Sequence, residues 1–207
     1  MKKIFIHGLG QSPSSWDKTV SQLKYSEDII CPDLADMLHG REVCYQSLYD
    51  EFSDMCSKFD NFLDLCGLSL GAVLALNYSI DHPEKINSLV LIAAQYKMPK
   101  GLLKFQNILF RFMPDSMFKS IGFKKTDFIG LCKTMSELDF SGFVRNISCP
   151  VLVAYGEKDN ANKKASVNLA DILENSELKV VSDSGHEVNI DAPEKLSALL
   201  NDFYDSI

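Results

Sequence analysis

The pentapeptide Gly67-Leu68-Ser69-Leu70-Gly71 constrains this chain more than any other stretch, because of what flanks it. Before it, Asn61-Phe62-Leu63-Asp64-Leu65-Cys66 is a short apolar run suited to a buried strand. After it, Ala72-Val73-Leu74-Ala75-Leu76 is rich in Ala and Leu and suited to a helix. A chain that passes from strand to helix within one residue holds that residue in a strained backbone, where bulky neighbours would clash. Gly67 and Gly71, two places either side of Ser69, remove the clash. Such a turn leaves the serine hydroxyl free to project toward a base, and the helix start aims N–H groups at a point where negative charge can develop. Short Gly/Ser patterns also arise in plain turns, so the rest of the chain must decide what this one means.

The rest alternates strands with helices. Lys2 to Ile6 reads as a first strand ending in His7-Gly8-Leu9-Gly10, and Ser12-Pro13 starts a helical segment through Trp16 to about Lys24. Asp28 to Leu34 reads as a second strand, and Glu42 to Phe59 has helical spacing in Val43, Leu48, Phe52, Met55 and Phe59. The strand before Ser69 is the third, and the helix after it stops near His82-Pro83. Ser88 to Ala94 and Pro150 to Tyr155 are further apolar strands, and Glu177 to Val181 is the sixth. Helices are expected over Lys163 to Leu173 and from near Asp191-Ala192-Pro193-Glu194 to the end, the latter with Asp191 as its N-cap and Pro193 in its first turn. Short apolar strands alternating with helices mean a parallel sheet covered on both faces, a three-layer α/β/α sandwich of about six strands.

Open parallel sheets gather reactive groups at the carboxyl ends of their strands. Four such ends carry Leu9-Gly10, Ser69, Asp159 and His186. A serine nucleophile needs a base, a group that fixes the base's tautomer, and donors for the oxyanion. Ser69, Asp159 and His186 supply the first three in chain order Ser, Asp, His. Glu157 and Asp183 are nearby carboxylates, but Asp183 stands too close in sequence to His186 to reach behind its ring. His7 reads as a loop-holding residue, and His39 and His82 as surface residues; the four histidines lack metal-ligand spacing, so neither metal nor cofactor is expected.

With these residues in view the sequence resembles the α/β-hydrolase superfamily. The resemblance rests on His7-Gly8-Leu9-Gly10 with Trp16 downstream, Gly67-Leu68-Ser69-Leu70-Gly71, Pro83-Glu84 before Leu89-Val90-Leu91, Pro150-x-Leu152 leading to Gly156-x-x-Asp159, and Gly185-His186 with Pro193 beyond. It implies a minimal version of that fold, opening directly on the strand that leads to His-Gly. It also implies that Ser69 attacks, His186 moves the proton, Asp159 orients His186, and the backbone N–H groups of Leu9 and Leu70 hold the oxyanion. One departure is visible: members often carry a proline shortly after the acid, and here Asn160-Ala161-Asn162-Lys163 follows.

The resemblance divides the chain into a core, 1–94 and 146–207, and a helical cap or lid, 95–145, where the superfamily covers its site. The insert holds eight phenylalanines (105, 110, 112, 118, 123, 128, 140 and 143) and Met98, Met113, Met117 and Met135. It carries nine Lys and Arg against four Asp and Glu in a chain whose net charge is −7. Two readings stand: an apolar, basic lid over an anionic substrate, or aromatics packing the insert down beneath a solvated cationic face. The overall negative charge excludes general nucleic-acid binding, and no apolar run reaches eighteen residues, so no membrane span or stable membrane association is expected. The six cysteines form no C-x-x-C pair and read as buried free thiols of a cytoplasmic protein.

The function expected is a cofactor-free serine hydrolase acting on a small carboxylic ester or thioester. Two alternatives remain at this point. The same residues in proteins like this also serve C–C cleavage or elimination, as in a menaquinone-pathway synthase. A hydrolase-derived receptor for a small molecule would keep the fold with little turnover.

Overall fold

The computed structural model describes residues 1–24, 26–99, 114–115 and 124–207. Its strands are β1 (Lys2–Ile6), β2 (Ile29–Ile30), β3 (Leu63–Leu68), β4 (Ile86–Ile92), β5 (Val151–Gly156) and β6 (Ser176–Val181). They form one sheet in the order β2-β1-β3-β4-β5-β6, parallel at every pairing. The helices that matter for the site are α1 (Asp17–Val20), α2 (Leu34–Met37), α3 (Tyr45–Ser57), α4 (Leu70–Asp81), α5 (Lys125–Met135), α6 (Asn160–Ile172), α7 (Val188–Asp191) and α8 (Pro193–Asp205).

Period-two alternation in the strands sorts their side chains onto two faces. Ile4, Ile6, Leu65, Leu89, Leu91 and Val153 point into one apolar layer with Leu48 and Phe52 of α3, Leu74 of α4 and Leu169 of α6. Phe5, Cys66, Leu68, Val90, Leu152 and Ala154 point into the other, with Trp16, Val188, and Leu196, Leu200 and Phe203 of α8. The α/β/α sandwich follows. From β1 the chain steps outward to β2, then returns past β1 to β3, so the winding reverses between β1 and β3. The connections that leave β1 and β3 run to opposite faces of the sheet, Trp16 joining one layer and Leu74 the other.

Two local expectations are corrected. The second strand spans only Ile29–Ile30, because Pro32 has no N–H for a ladder and Asp33 instead caps α2, its carboxylate accepting from Ala35 N at 2.9 Å. Asp191 does not cap the final helix, whose N-cap is Ala192. Its Oδ2 accepts the backbone N–H of Gly185 at 2.7 Å, one residue before His186. At the root of the 95–145 insert, an antiparallel bridge joins Lys97 and Asp139, with Met98 N donating to Leu138 O and Phe140 N to Tyr96 O. Phe128, Phe140, Met98 and Met135 are buried in the α3/α4 layer, so these aromatics and methionines pack, while Phe143 is exposed. Phe105, Phe110, Phe112, Met113, Met117, Phe118 and Phe123 lie outside the described residues. Among the described residues no helix is long and apolar enough to cross a membrane.

Candidate active site

Ser69 follows the last residue of the central strand β3 and precedes the first of α4, with φ 53° and ψ −111°. That is a left-handed conformation costly for any residue with a Cβ. The surrounding contacts enforce it. A Cβ on Gly71 would sit 2.1 Å from Ile6 O, and one on Gly67 would sit 2.3 Å from Gly71 C. The turn is therefore pressed against the end of β1 with room for glycine alone, while Ser69 N is held by Ile92 O at 2.9 Å.

Beside it runs the loop after β1. His7 donates from Nδ1 to Gly8 O (2.9 Å), and its Nε2 accepts Leu34 N at 3.2 Å, which ties the β1 loop to the start of α2. Burial holds this imidazole below its ordinary value, against the opposing pull of the Gly8 bond and the Asp33 charge. Both ring nitrogens are thus committed to structure. Leu9 N has no backbone acceptor among the described residues, and Leu70 opens α4, where a helix N–H lacks an intrahelical acceptor.

Asp159 caps α6 just past β5, and His186 lies in the loop after β6. Lys158 N donates to Ser184 O at 2.9 Å, joining the two loops. The ring of His186 faces the acid, Nδ1 lying 2.8 Å from Asp159 Oδ2. The carboxylate is almost wholly buried, its side chain 4% exposed, whereas the imidazole is 42% exposed. Burial alone would raise the Asp159 carboxyl; hydrogen bonds from His186 and Asn162 and the charge of His186 outweigh it and hold the group below its usual value. In the neutral ring an ionised acid behind Nδ1 selects the tautomer with the proton on that nitrogen. Ser69 Oγ makes no hydrogen bond among the described residues; such contacts commonly tighten only when substrate binds.

The competing carboxylates are occupied elsewhere. Asp183 pairs with Lys195 at 2.7 Å, and Glu157 accepts Asp183 N at 3.0 Å. His39 is exposed, and the half-buried ring of His82 rests on Tyr78 with centroids 4.5 Å apart. Burial pushes the Cys31 and Cys149 thiols up to about 11 and Cys132 up to about 12, so these thiols offer no rival thiolate near neutral pH.

Five polar residues around the site were not singled out as site residues by sequence. Gln11 accepts Gly8 N at 3.1 Å and reaches Asn189 and Glu187 beyond His186. Asn162 and Gln95 stand beside Asp159. One signal was available: Asp159-x-x-Asn162 has the spacing of a helix N-cap and its third residue.

A sequence model described as "Alpha/beta hydrolase family" matches residues 4–199. An (E)-2-((N-methylformamido)methylene)succinate hydrolase of Acinetobacter baylyi is 18% identical, over 94% of this chain and 86% of that protein. A candidate 2-succinyl-6-hydroxy-2,4-cyclohexadiene-1-carboxylate synthase of Bacillus subtilis is 22% identical, over 99% of this chain and 90% of its own. Among solved structures, the enol-lactonase of Burkholderia xenovorans LB400 superposes with a TM-score of 0.84 at 17% identity, covering 99% of this chain and 91% of that one.

Proposed function

The chain belongs to the alpha/beta hydrolase family, and on that premise we propose that it is a serine hydrolase cleaving a small carboxylic ester or thioester through an acyl-enzyme on Ser69. The observation that carries the reading is the Asp159–His186 hydrogen bond of 2.8 Å, set past the carboxyl ends of β5 and β6 on the sheet edge where β3 ends in a serine with φ 53°. Asp159 keeps the proton on Nδ1, so Nε2 of His186 takes the Ser69 proton as Oγ attacks the carbonyl carbon. The tetrahedral oxyanion is held by the N–H groups of Leu9 and Leu70. Losing one such donor raises a barrier by roughly 3 kcal/mol. The imidazolium then protonates the departing alkoxide or thiolate, and water repeats the sequence in reverse to free the acid and Ser69. We assign residues 95–145 as the cap that sets acyl size.

A lactone is a cyclic ester, so the enol-lactonase likeness suits this chemistry, while its identity of 17% carries the fold alone. The experiment is kcat/KM for p-nitrophenyl esters from acetate to palmitate, beside Ser69→Ala. An optimum that vanishes in Ser69→Ala is expected; equal rates in a folded mutant would refute the proposal. The likeness to a candidate synthase favours one second reading, elimination or C–C cleavage with the same residues. It requires turnover of a true substrate without a trappable Ser69 adduct.

A further inference from the structure

Asp159 receives more than the His186 proton. Asn162 Nδ2 lies 2.9 Å from both Asp159 oxygens, and Asn162 N donates to Oδ1 at 3.3 Å. Gln95, in the root of the insert just past β4, donates from Nε2 to Asn162 Oδ1 at 2.7 Å. An ionised carboxylate only accepts, so Asn162 must turn its amino group to Asp159 and its oxygen to Gln95. Gln95 must then present its own amino group. Every orientation in this chain is dictated by the negative charge at its end.

We propose that Asn162 and Gln95 are positioning residues that hold the Asp159 carboxylate ionised and aligned on the His186 ring; this rests on the hydrolase reading above. Asn162 Nδ2 also lies 3.1 Å from His186 Nδ1. With the proton on Nδ1 both atoms are donors, so they converge on Oδ2 without bonding each other. This acid therefore has a side-chain amide as a support beside the His186 ring. The other charged groups of the two loops are turned aside: Glu157, Lys158 and Lys195 engage Asp183, and Glu187 accepts from Gln11.

Gln95→Glu is the informative variant, since it keeps the shape and removes the donor. A carboxylate at 95 would repel Asn162 Oδ1 and favour the flipped amide, which turns an oxygen on Asp159. Asn162→Ala removes the clamp outright. Both should lower kcat roughly tenfold, the scale of one charge-assisted hydrogen bond, with KM within about twofold. Both should move the acidic limb of the kcat/KM profile to higher pH, and Gln95→Ala should move it less. An acidic limb at the wild-type position in both variants overturns the proposal, whatever happens to kcat. A second readout needs no substrate: the carboxyl-13C titration of Asp159, assigned against Asp159→Asn, should have a higher midpoint in Asn162→Ala and Gln95→Glu. If no ester is turned over, the hydrolase reading fails by itself and this titration alone decides the clamp. An unchanged midpoint there overturns it.

Discussion

The side-chain amides of Gln11 and Asn189 face each other as a reciprocal pair, with Gln11 Nε2 3.1 Å from Asn189 Oδ1 and Asn189 Nδ2 3.2 Å from Gln11 Oε1. Both are buried, and they join the loop after β1 to the segment following His186. Because Gln11 Oε1 also accepts Gly8 N, the pair sets the loop that carries Leu9 against the loop that carries His186.

Gln11→Leu keeps the volume but leaves Gly8 N–H and the Asn189 amide short of partners in a buried place. A loss of about 2–3 kcal/mol in urea unfolding is expected. A fall of roughly ten- to a hundredfold in kcat/KM should accompany it, because the Leu9 N–H loses its fixed direction. Wild-type kcat/KM in Gln11→Leu would show that the loop is held by His7 alone.

Strain at Ser69 makes an unusual stability ordering. At φ 53° and ψ −111°, alanine suffers the same backbone conflict as serine, whereas glycine does not. Ser69→Gly and Ser69→Ala should both be inactive, and Ser69→Gly should be the more stable by about 1 kcal/mol in paired denaturation curves. Equal stabilities would mean that the elbow is relaxed in solution.

At the opposite end of β3, Lys3 Nζ lies 3.0 Å from Asp64 Oδ2, with side-chain exposures of 14% and 3%. Asn87 and Ser88 donate to Oδ1 of the same carboxylate. Asp64→Ala strands a poorly solvated ammonium and should cost about 3–5 kcal/mol. Below its melting temperature its kcat/KM should match wild type, since Asp64 is separated from Ser69 by the length of the strand. The Lys3→Met, Asp64→Leu double variant should recover much of the stability, as measured by thermal melts.

His7 links folding to pH. Burial holds its imidazole neutral in the folded chain to a pH below the 6.5 at which the unfolded chain protonates. Between those two values the unfolded state binds the additional proton, so stability falls as pH falls from about 6.5. Urea midpoints measured from pH 7.5 downward should show a shallower decline in His7→Asn than in wild type, although the variant starts lower. Parallel declines would place the titrating group elsewhere.

Sequence by itself determined the parts whose information is local. A strand, two spaced glycines, a serine and an Ala/Leu-rich helix force the turn at Ser69 because each acts on its immediate neighbours. Apolar runs of strand length between helical stretches imply a parallel sheet, and the sheet implies that Leu9, Ser69, Asp159 and His186 share one edge. Tertiary structure alone decided the supports. Gln95 meets Asn162 across 67 positions, Gln11 meets Asn189 across 178, and Asp191 leaves the cap of α8 to hold Gly185. A side-chain amide carries no mark in sequence of which distant group it will face. Its partner is set by strand order and loop packing, and here by the charge on Asp159, which dictates how every amide around it must turn.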